Sequence, residues 1–488
     1  NKSLLLRKGI SKDQNKLPRI LSISEKVMEH ARFENLNRNI YLFCENVLNK
    51  KNGFEAIKSF LNRDIPNIKG KKAGEKIIET ENFTDEIPKV INNLNNSYLY
   101  LQGPPGSGKT YQAANAILEL IKRNKKIAIT ANSHKVIHNL LERIEGLAKN
   151  KKHTFKGLKM GNVENDDTFF DGKFVKTEKN EKHFINQLKD DKTLLYAGTK
   201  YHLSQKFYQN KLDYLFVDEA SQISVADLVA LGGIAKNIIL VGDNAQLSQP
   251  VKGNHPGESG KSVLDYLLQG KDTILDSHGV FLKKTYRLHP NLNDFISENF
   301  YENRLLINEK NINRKIDYKK SSIIQSEGIH TILMKHEDRS QTSLEEFETV
   351  KKLMDQLIGS KFRDFDNSER KISVNDILIV SPFNAQVNFL KSRLHKDTKI
   401  GTIDKFQGME APITIISMTS SSVEDLPRNK KFFFNRNRLN VAISRAQCSS
   451  IILMNPKLLE APPSDYEEFK LLNYFQKLMK FERKIDIN

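Results

Sequence analysis

From Ser97 onward, short apolar runs alternate with amphipathic stretches. Tyr98 to Leu101, Ile127 to Thr130, Leu194 to Ala197, Tyr214 to Val217 and Ile238 to Val241 are each separated by helical or polar segments. The rhythm resumes with Val280 to Leu282, Ile377 to Val380, Ile413 to Ser417 and Ile451 to Met454. Runs this short and this uniformly apolar predict strands buried on both faces, as in parallel sheets whose crossovers are helices. The pattern therefore predicts an α/β fold with two tandem parallel-sheet domains and a boundary near Asp276 to Gly279. Upstream, Ile23, Val27, Met28, Ile40, Phe43 and Val47 recur at helical spacing among charges and predict helices with a packing role. Asp64 to Gly74, with Pro66 and Gly70, reads as a linker. The expected division is a helical, stalk-like segment and linker over 1–96, a first domain over 97–277 and a second over 278–488. Polar stretches without clear periodicity at 148–192, 306–326 and 359–373 are expected to be surface insertions.

A chain of 488 residues is too long for one hydrophobic core, which agrees with this division. Its 77 Lys and Arg against 59 Asp and Glu leave a formal charge of +18. Such an excess attracts a polyanion, and nucleic acid is the obvious one, although a Lys- and Asn-heavy composition can also reflect genome bias. Cys44 and Cys448 lie far apart with no CxxC pair, which excludes a zinc ribbon, a four-cysteine iron–sulfur site and a disulfide scaffold. The 12 His residues show no metal-ligand spacing. No apolar run reaches the roughly 18 residues of a membrane span, and the start lacks a signal-peptide layout. A cytoplasmic protein without membrane partners is expected. The chain begins with Asn rather than Met, as expected of a piece of something longer, whose upstream modules would not be visible here.

Candidate chemistry is concentrated in two places. Gly103, Pro104, Pro105, Gly106, Ser107, Gly108, Lys109 and Thr110 match the phosphate-loop pattern, after an apolar strand and before an amphipathic run. Its glycines let successive backbone N–H groups curl around phosphates at the positive end of the following helix. Lys109 is the expected cation for the β- and γ-phosphates of ATP, and the Thr110 hydroxyl a ligand for Mg²⁺. The run Leu215-Phe-Val-Asp218-Glu219 ends in carboxylates at the edge of a strand. Alone these could be an exposed strand end; beside a phosphate loop, Asp218 is expected to hold Mg²⁺ and Glu219 to accept a proton from the attacking water. A phosphate loop fixes the nucleotide rather than the task.

The remaining motifs resemble superfamily 1 helicases, in the group around the nonsense-mediated-decay helicase and the Dna-type nuclease-helicases. The chain is more similar still to the helicase half of bacterial RecB-like nuclease-helicases. The resemblance runs from residue 97 to about 460. It is carried by Ile129-Thr-Ala-Asn-Ser133-His-Lys135, Tyr196-Ala-Gly-Thr199, Val241-Gly-Asp-Asn-Ala-Gln246, Thr285-Tyr286-Arg287-Leu-His-Pro290, Ser381-Pro382-Phe383-Asn-Ala-Gln386, Gly401-Thr402-Ile-Asp404-Lys405-Phe-Gln407-Gly408-Met-Glu410 and Arg438-Leu-Asn-Val-Ala-Ile-Ser-Arg445. The resemblance implies two RecA-like domains enclosing ATP. Gln246, Arg287 and Arg445 would then face the γ-phosphate, Tyr286 would stack on adenine, and Gly408 and Glu410 would join the nucleotide site. It also implies that Ser133, Lys135, Thr199, Ser381, Pro382, Phe383, Thr402 and Lys405 meet single-stranded nucleic acid, Phe383 by stacking. Singly, such residues read as solvated surface or helix caps.

The implied activity is an ATP-dependent helicase or translocase on single-stranded nucleic acid, DNA before RNA and 5′ to 3′. An RNA helicase of surveillance type and an ATP-switched clamp that does not unwind are the alternatives. Three features depart from the family pattern. The stretch Asn82 to Lys89 lacks the upstream Gln that reads adenine, Gln246-Leu-Ser-Gln-Pro250 lacks paired prolines, and no RecB-like nuclease set is present. A nuclease, if it belongs to this protein, is expected outside the chain. The basic segment Lys149 to Lys159 is open between a solvated loop and a clamp over the strand.

Overall fold

The computed structural model describes residues 26–190, 192–249, 255–319, 321–406, 408–427, 430–460, 462–481 and 483–486. Pro250 and Gln407 of the motifs above, and Ile23, lie outside them. The first lobe is built on an eight-stranded sheet whose strands all run parallel. These are β1 Tyr98–Gln102, β2 Ile127–Thr130, β3 Lys156–Met160, β4 Val175–Glu178, β5 Thr193–Ala197, β6 Leu212–Val217, β7 Ala235–Gly242 and β8 Gly279–Phe281, in spatial order β4-β3-β5-β2-β6-β7-β1-β8. The strands β1, β2 and β5, each flanked on both sides, are buried at every position, as their unbroken apolar runs require.

Five helices of this lobe bear on the site: α1 Lys26–Leu48, α2 Glu55–Asn62, α3 Phe83–Asn92, α4 Lys109–Ile121 and α5 His134–Asn150. The first three make up the predicted helical segment and pack onto the lobe. Asn39 of α1 donates to the carbonyls of Ser204 and Ala230 at 3.0 and 2.9 Å. Asn115 of α4 donates to the Thr84 carbonyl of α3 at 2.7 Å. Ile40 and Phe43 pack against the core as predicted, whereas Val47 is exposed.

The second lobe carries a six-stranded parallel sheet. After the short pair β9 Lys284–Thr285 and β10 Leu306–Ile307 come β11 Lys315–Asp317, β12 Gly328–Leu333, β13 Lys361–Arg363, β14 Glu369–Lys371, β15 Ile377–Val380, β16 Lys399–Gly401, β17 Ala411–Ser417, β18 Ala446–Met454 and β19 Arg483–Asp486. The sheet order is β16-β15-β17-β18-β12-β19. The fold is thus α/β with tandem RecA-like parallel sheets.

Three boundaries differ from the sequence expectation. Val280 pairs with Leu101 of β1, so the first sheet extends past residue 278; an apolar run does not reveal which sheet it joins. The supposed insertion 148–192 contains β3 and β4, which extend the first sheet at one edge. Their Lys residues hid these strands, and Lys159 itself is fully buried. The segment Lys149 to Lys159 is accordingly the end of α5, a turn and a strand rather than a free basic loop. The polar stretches 306–326 and 359–373 meet in one antiparallel sheet of order β11-β13-β14. Among the described residues, no helix is long and apolar enough to cross a membrane.

Candidate active site

The phosphate loop joins β1 to α4, and its shape follows from its glycines. Gly106 and Gly108 adopt φ of +71° and +80°, which side chains disfavour. The Gly103 N–H donates to the Gly242 carbonyl of β7 at 2.9 Å, tying the loop to the neighbouring strand end. Lys109 opens α4, placing its ammonium over the cradle.

Strand β6 ends one position before Asp218 and Glu219. Glu219 takes a left-handed conformation, φ +49°, uncommon for a side-chain-bearing residue and of the kind concentrated where geometry is functional. The turn lets its backbone N–H donate to Asp218 Oδ1 at 2.9 Å while its carboxylate lies 3.0 Å from Lys109 Nζ. Burial, and then repulsion from Glu219, pushes Asp218 up to about 7 against the pull of Lys109. Burial would lower Lys109, but Glu219, Asp218 and Asp243 together hold its ammonium above the usual range.

Beyond β7, Gln246 donates to Asp243 Oδ2 at 2.9 Å. The same oxygen accepts from Tyr301 of the second lobe at 2.7 Å. The helix Arg436–Ser444 grips this loop from the far side. Asn437 donates to the carbonyls of Asn244 and Gln246 at 2.9 and 2.8 Å, and Asn440 to that of Ala245 at 2.8 Å.

The second lobe closes over the phosphate loop. Thr285 Oγ1 donates to the Pro105 carbonyl and the Tyr286 N–H to the Gly106 carbonyl, both at 2.8 Å. Arg287 is ion-paired with Glu410 at 2.5 Å and donates to the Ser444 carbonyl at 3.1 Å. Burial would raise Glu410, yet Arg287 holds it below the usual carboxylate range. Arg445 is buried and donates to the Met409 carbonyl at 3.2 Å. Burial first, then the neighbouring Arg287, brings its guanidinium down to about 9.

One cleft of about 1010 Å³ lies between the lobes. Pro104 to Thr110, Asp218, Glu219 and Gln246 come from one side, and Arg287, Gly408, Glu410 and Arg445 from the other. Ser133, Lys135 and Lys405, expected on the strand surface, also line it. Ser133 caps α5 by accepting from the Val136 N–H at 3.3 Å. Tyr286 is 56% exposed beside the cleft.

Other strand-side expectations fare differently. Thr199, Pro382 and Thr402 are half-buried. Ser381 is fully buried, its hydroxyl 3.3 Å from that of Thr419. Phe383 is 5% exposed and stacks on Phe433 with ring centroids 6.0 Å apart. Phe383 is the cap of the helix Asn384–Lys391, and Ser381 directly follows β15. Phe383 is therefore packed within the core of the second lobe. Sequence reading also missed Asp243, Tyr301, Asn437 and Asn440. Asp243 and Asn440 stand inside the motifs that end at Gln246 and begin at Arg438, a signal that could have found them; Tyr301 and Asn437 carry no local signal.

Two family models, each described as an AAA domain, match residues 88–251 and 260–457. The chain is 26% identical over 384 residues to the DNA replication ATP-dependent helicase/nuclease dna2 of Schizosaccharomyces pombe, covering 73% of this chain and 26% of that protein. It is 24% identical over 450 residues to the regulator of nonsense transcripts 1 homolog of Arabidopsis thaliana, covering 78% of this chain and 34% of that one. It thus spans only about a quarter to a third of these relatives. Among solved structures, the arterivirus nonstructural protein 10 helicase with DNA aligns with a TM-score of 0.40 at 14% identity, over 74% of this chain and 60% of that one. With its ordered motifs and matched domains, the chain belongs to the superfamily 1 helicases, in the group of the Dna2- and Upf1-type proteins.

Proposed function

We propose that the chain hydrolyses Mg-ATP between its lobes and uses the resulting opening and closing to move along single-stranded DNA in the 5′ to 3′ direction. The observation that carries this reading is the convergence of Arg287 and Arg445 on the cleft that holds Lys109, Asp218 and Glu219. A triphosphate suits the groups present. Ser107 Oγ, Glu219 Oε2 and Arg445 Nε are buried there without a hydrogen-bond partner. Arg287 and Arg445 also repel one another across this cleft, which a further bound anion would relieve.

In this reading Lys109 and the loop amides bind the β- and γ-phosphates, and Gln246 meets the γ-phosphate. Thr110 and Asp218 are the ligands for Mg²⁺, which supplies neutralisation of phosphate charge. Glu219 takes the proton of the attacking water. Arg287 and Arg445 act as arginine fingers, a role commonly worth roughly 10³–10⁵ in rate. Tyr286 offers a face for the base, and Gly408 and Glu410 complete the wall. Because the fingers belong to the other lobe, hydrolysis is coupled to lobe separation. Lys135 and Lys405, one on each lobe, together with Ser133, Thr199, Pro382 and Thr402, are candidates for the strand.

An RNA substrate is the second reading, favoured by the likeness to a protein named for nonsense transcripts. The likeness to a helicase/nuclease adds the proposal that a nuclease works with this motor from outside the matched region. ATPase and unwinding assays on DNA and RNA duplexes with tails of either polarity decide among these. Greatest activity is expected on 5′-tailed DNA. RNA-stimulated turnover above the DNA value selects the second reading, and stimulated ATPase without strand displacement makes the protein a clamp. Lys109→Ala should abolish hydrolysis, and Glu219→Gln should bind ATP yet turn it over at least about 10²-fold more slowly.

A further inference from the structure

The segment Thr285–Leu288 meets the phosphate loop through its N–H and hydroxyl side: Thr285 Oγ1 bonds Pro105 and the Tyr286 N–H bonds Gly106. Its carbonyl side faces away from the cleft, and there every carbonyl is held by the polar stretch that follows β10. Asn311 Nδ2 donates to the carbonyls of Thr285 and Leu288 at 3.0 and 2.9 Å. Arg314 Nη1 donates to those of Tyr286 and Arg287 at 3.0 and 2.5 Å. Both side chains are buried, at 1% and 3% exposure.

Arg314 is itself oriented twice over. Its Nε donates to Asp364 Oδ1 at 2.8 Å, and its guanidinium lies 5.1 Å from the ring centre of Phe365. Asp364 and Phe365 belong to the turn between β13 and β14, the other arm of the small antiparallel sheet. A planar guanidinium with fixed donors suits this task, since it can serve neighbouring carbonyls and a carboxylate in one geometry. A buried charge would not be kept here without such a full set of partners.

We propose that the small sheet joining residues 306–326 and 359–373 is a brace for the nucleotide site, and that Arg314 is a positioning residue which aims Arg287 and Tyr286 through their backbone. The proposal rests on the reading of the cleft as an ATP site. Displacing a reacting group by about 1 Å can cost on the order of 10²-fold in rate, so the brace belongs to the turnover step more than to nucleotide capture.

Steady-state ATP hydrolysis by the full chain tests it, with Arg314→Ala, the milder Asp364→Asn, Arg287→Ala and the double variant Arg287→Ala/Arg314→Ala. Arg314→Ala is expected to lower kcat by about 10- to 100-fold while changing KM for ATP by no more than about threefold. Asp364→Asn keeps a hydrogen-bond acceptor and should lower kcat by a smaller factor in the same direction. The decisive readout is non-additivity: if Arg314 acts through Arg287, the double variant is no slower than Arg287→Ala alone. Multiplying losses in the double variant, or a kcat for both Arg314→Ala and Asp364→Asn equal to that of the parent, would overturn the brace. If Arg314→Ala fails to fold, Asp364→Asn combined with Arg287→Ala carries the same comparison. Hydrolysis that survives Lys109→Ala would instead overturn the reading of the cleft.

Discussion

At position 106 the chain has room for a hydrogen and little more. A β-carbon there would lie 2.4 Å from Arg287 Cβ and 2.8 Å from Thr285 Oγ1, on a backbone already at φ +71°. The glycine that lets the loop curl around phosphate is therefore also the surface on which the other lobe lands. Gly106→Ala should keep the lobes from closing fully and lower kcat by about 10²-fold, measured with a melting curve that stays near the parent's. Asp218 carries a different tension. Its carboxyl titrates near 7 rather than at 3.8, chiefly from burial and then from Glu219. Between those values the unfolded chain has lost its proton while the folded chain keeps it, so stability falls as pH rises across that window and levels off above 7. Asp218→Asn removes the slope. In metal-free buffer its Tm should exceed the parent's by a margin that grows from pH 4 to pH 7 and is constant beyond. A margin equal at all pH values would show that the carboxylate is not strained.

At the scale of elements, what could be read in advance depended on how fully each element is buried. The strands β1, β2, β6 and β7 carry short, uniformly apolar runs and were legible, as was the phosphate loop, whose residue types are dictated by its backbone. Strand β4 forms the sheet edge and β3 lies beside it, and the Lys residues among their positions made a sheet look like an insertion. The pairing of β11 with β13 was beyond reach for another reason, since nothing in either stretch specifies that Ile316 should pair with a residue as distant as Phe362. The site followed the same rule. Residues whose chemistry is local, such as Lys109 and Glu219, announced themselves, but whether a motif residue faces the cleft or the core depends on packing. Phe383 is the clearest instance, lying against Phe433 inside the second lobe. Phe383→Ala should therefore cost about 3–5 kcal/mol of stability in a denaturant titration. Affinity for a single strand, measured well below the transition, should be unchanged; a selective loss of affinity would return Phe383 to the strand surface.

For the molecule as a whole, the arrangement of charge matters more than its total. A net +18 says little about where a polyanion would lie. The lobes, however, each present an exposed ammonium at the mouth of the cleft, Lys135 on α5 and Lys405 before β17. A strand held by both must feel lobe separation, because the distance between the two grips changes when the fingers release. The lobes are also tied by Arg436, which pairs with Asp272 at 2.6 Å. Binding dominated by such contacts releases counterions, with log K falling by about 0.7 per phosphate contact for each unit of log salt on single strands. Lys405→Ala should thus weaken single-strand binding several-fold at low salt and flatten the slope by about 0.7, the contribution of one phosphate contact. If affinity falls without any change in slope, Lys405 acts on the nucleotide side of the cleft instead, and the grip on the second lobe must be sought at Thr402 and Pro382.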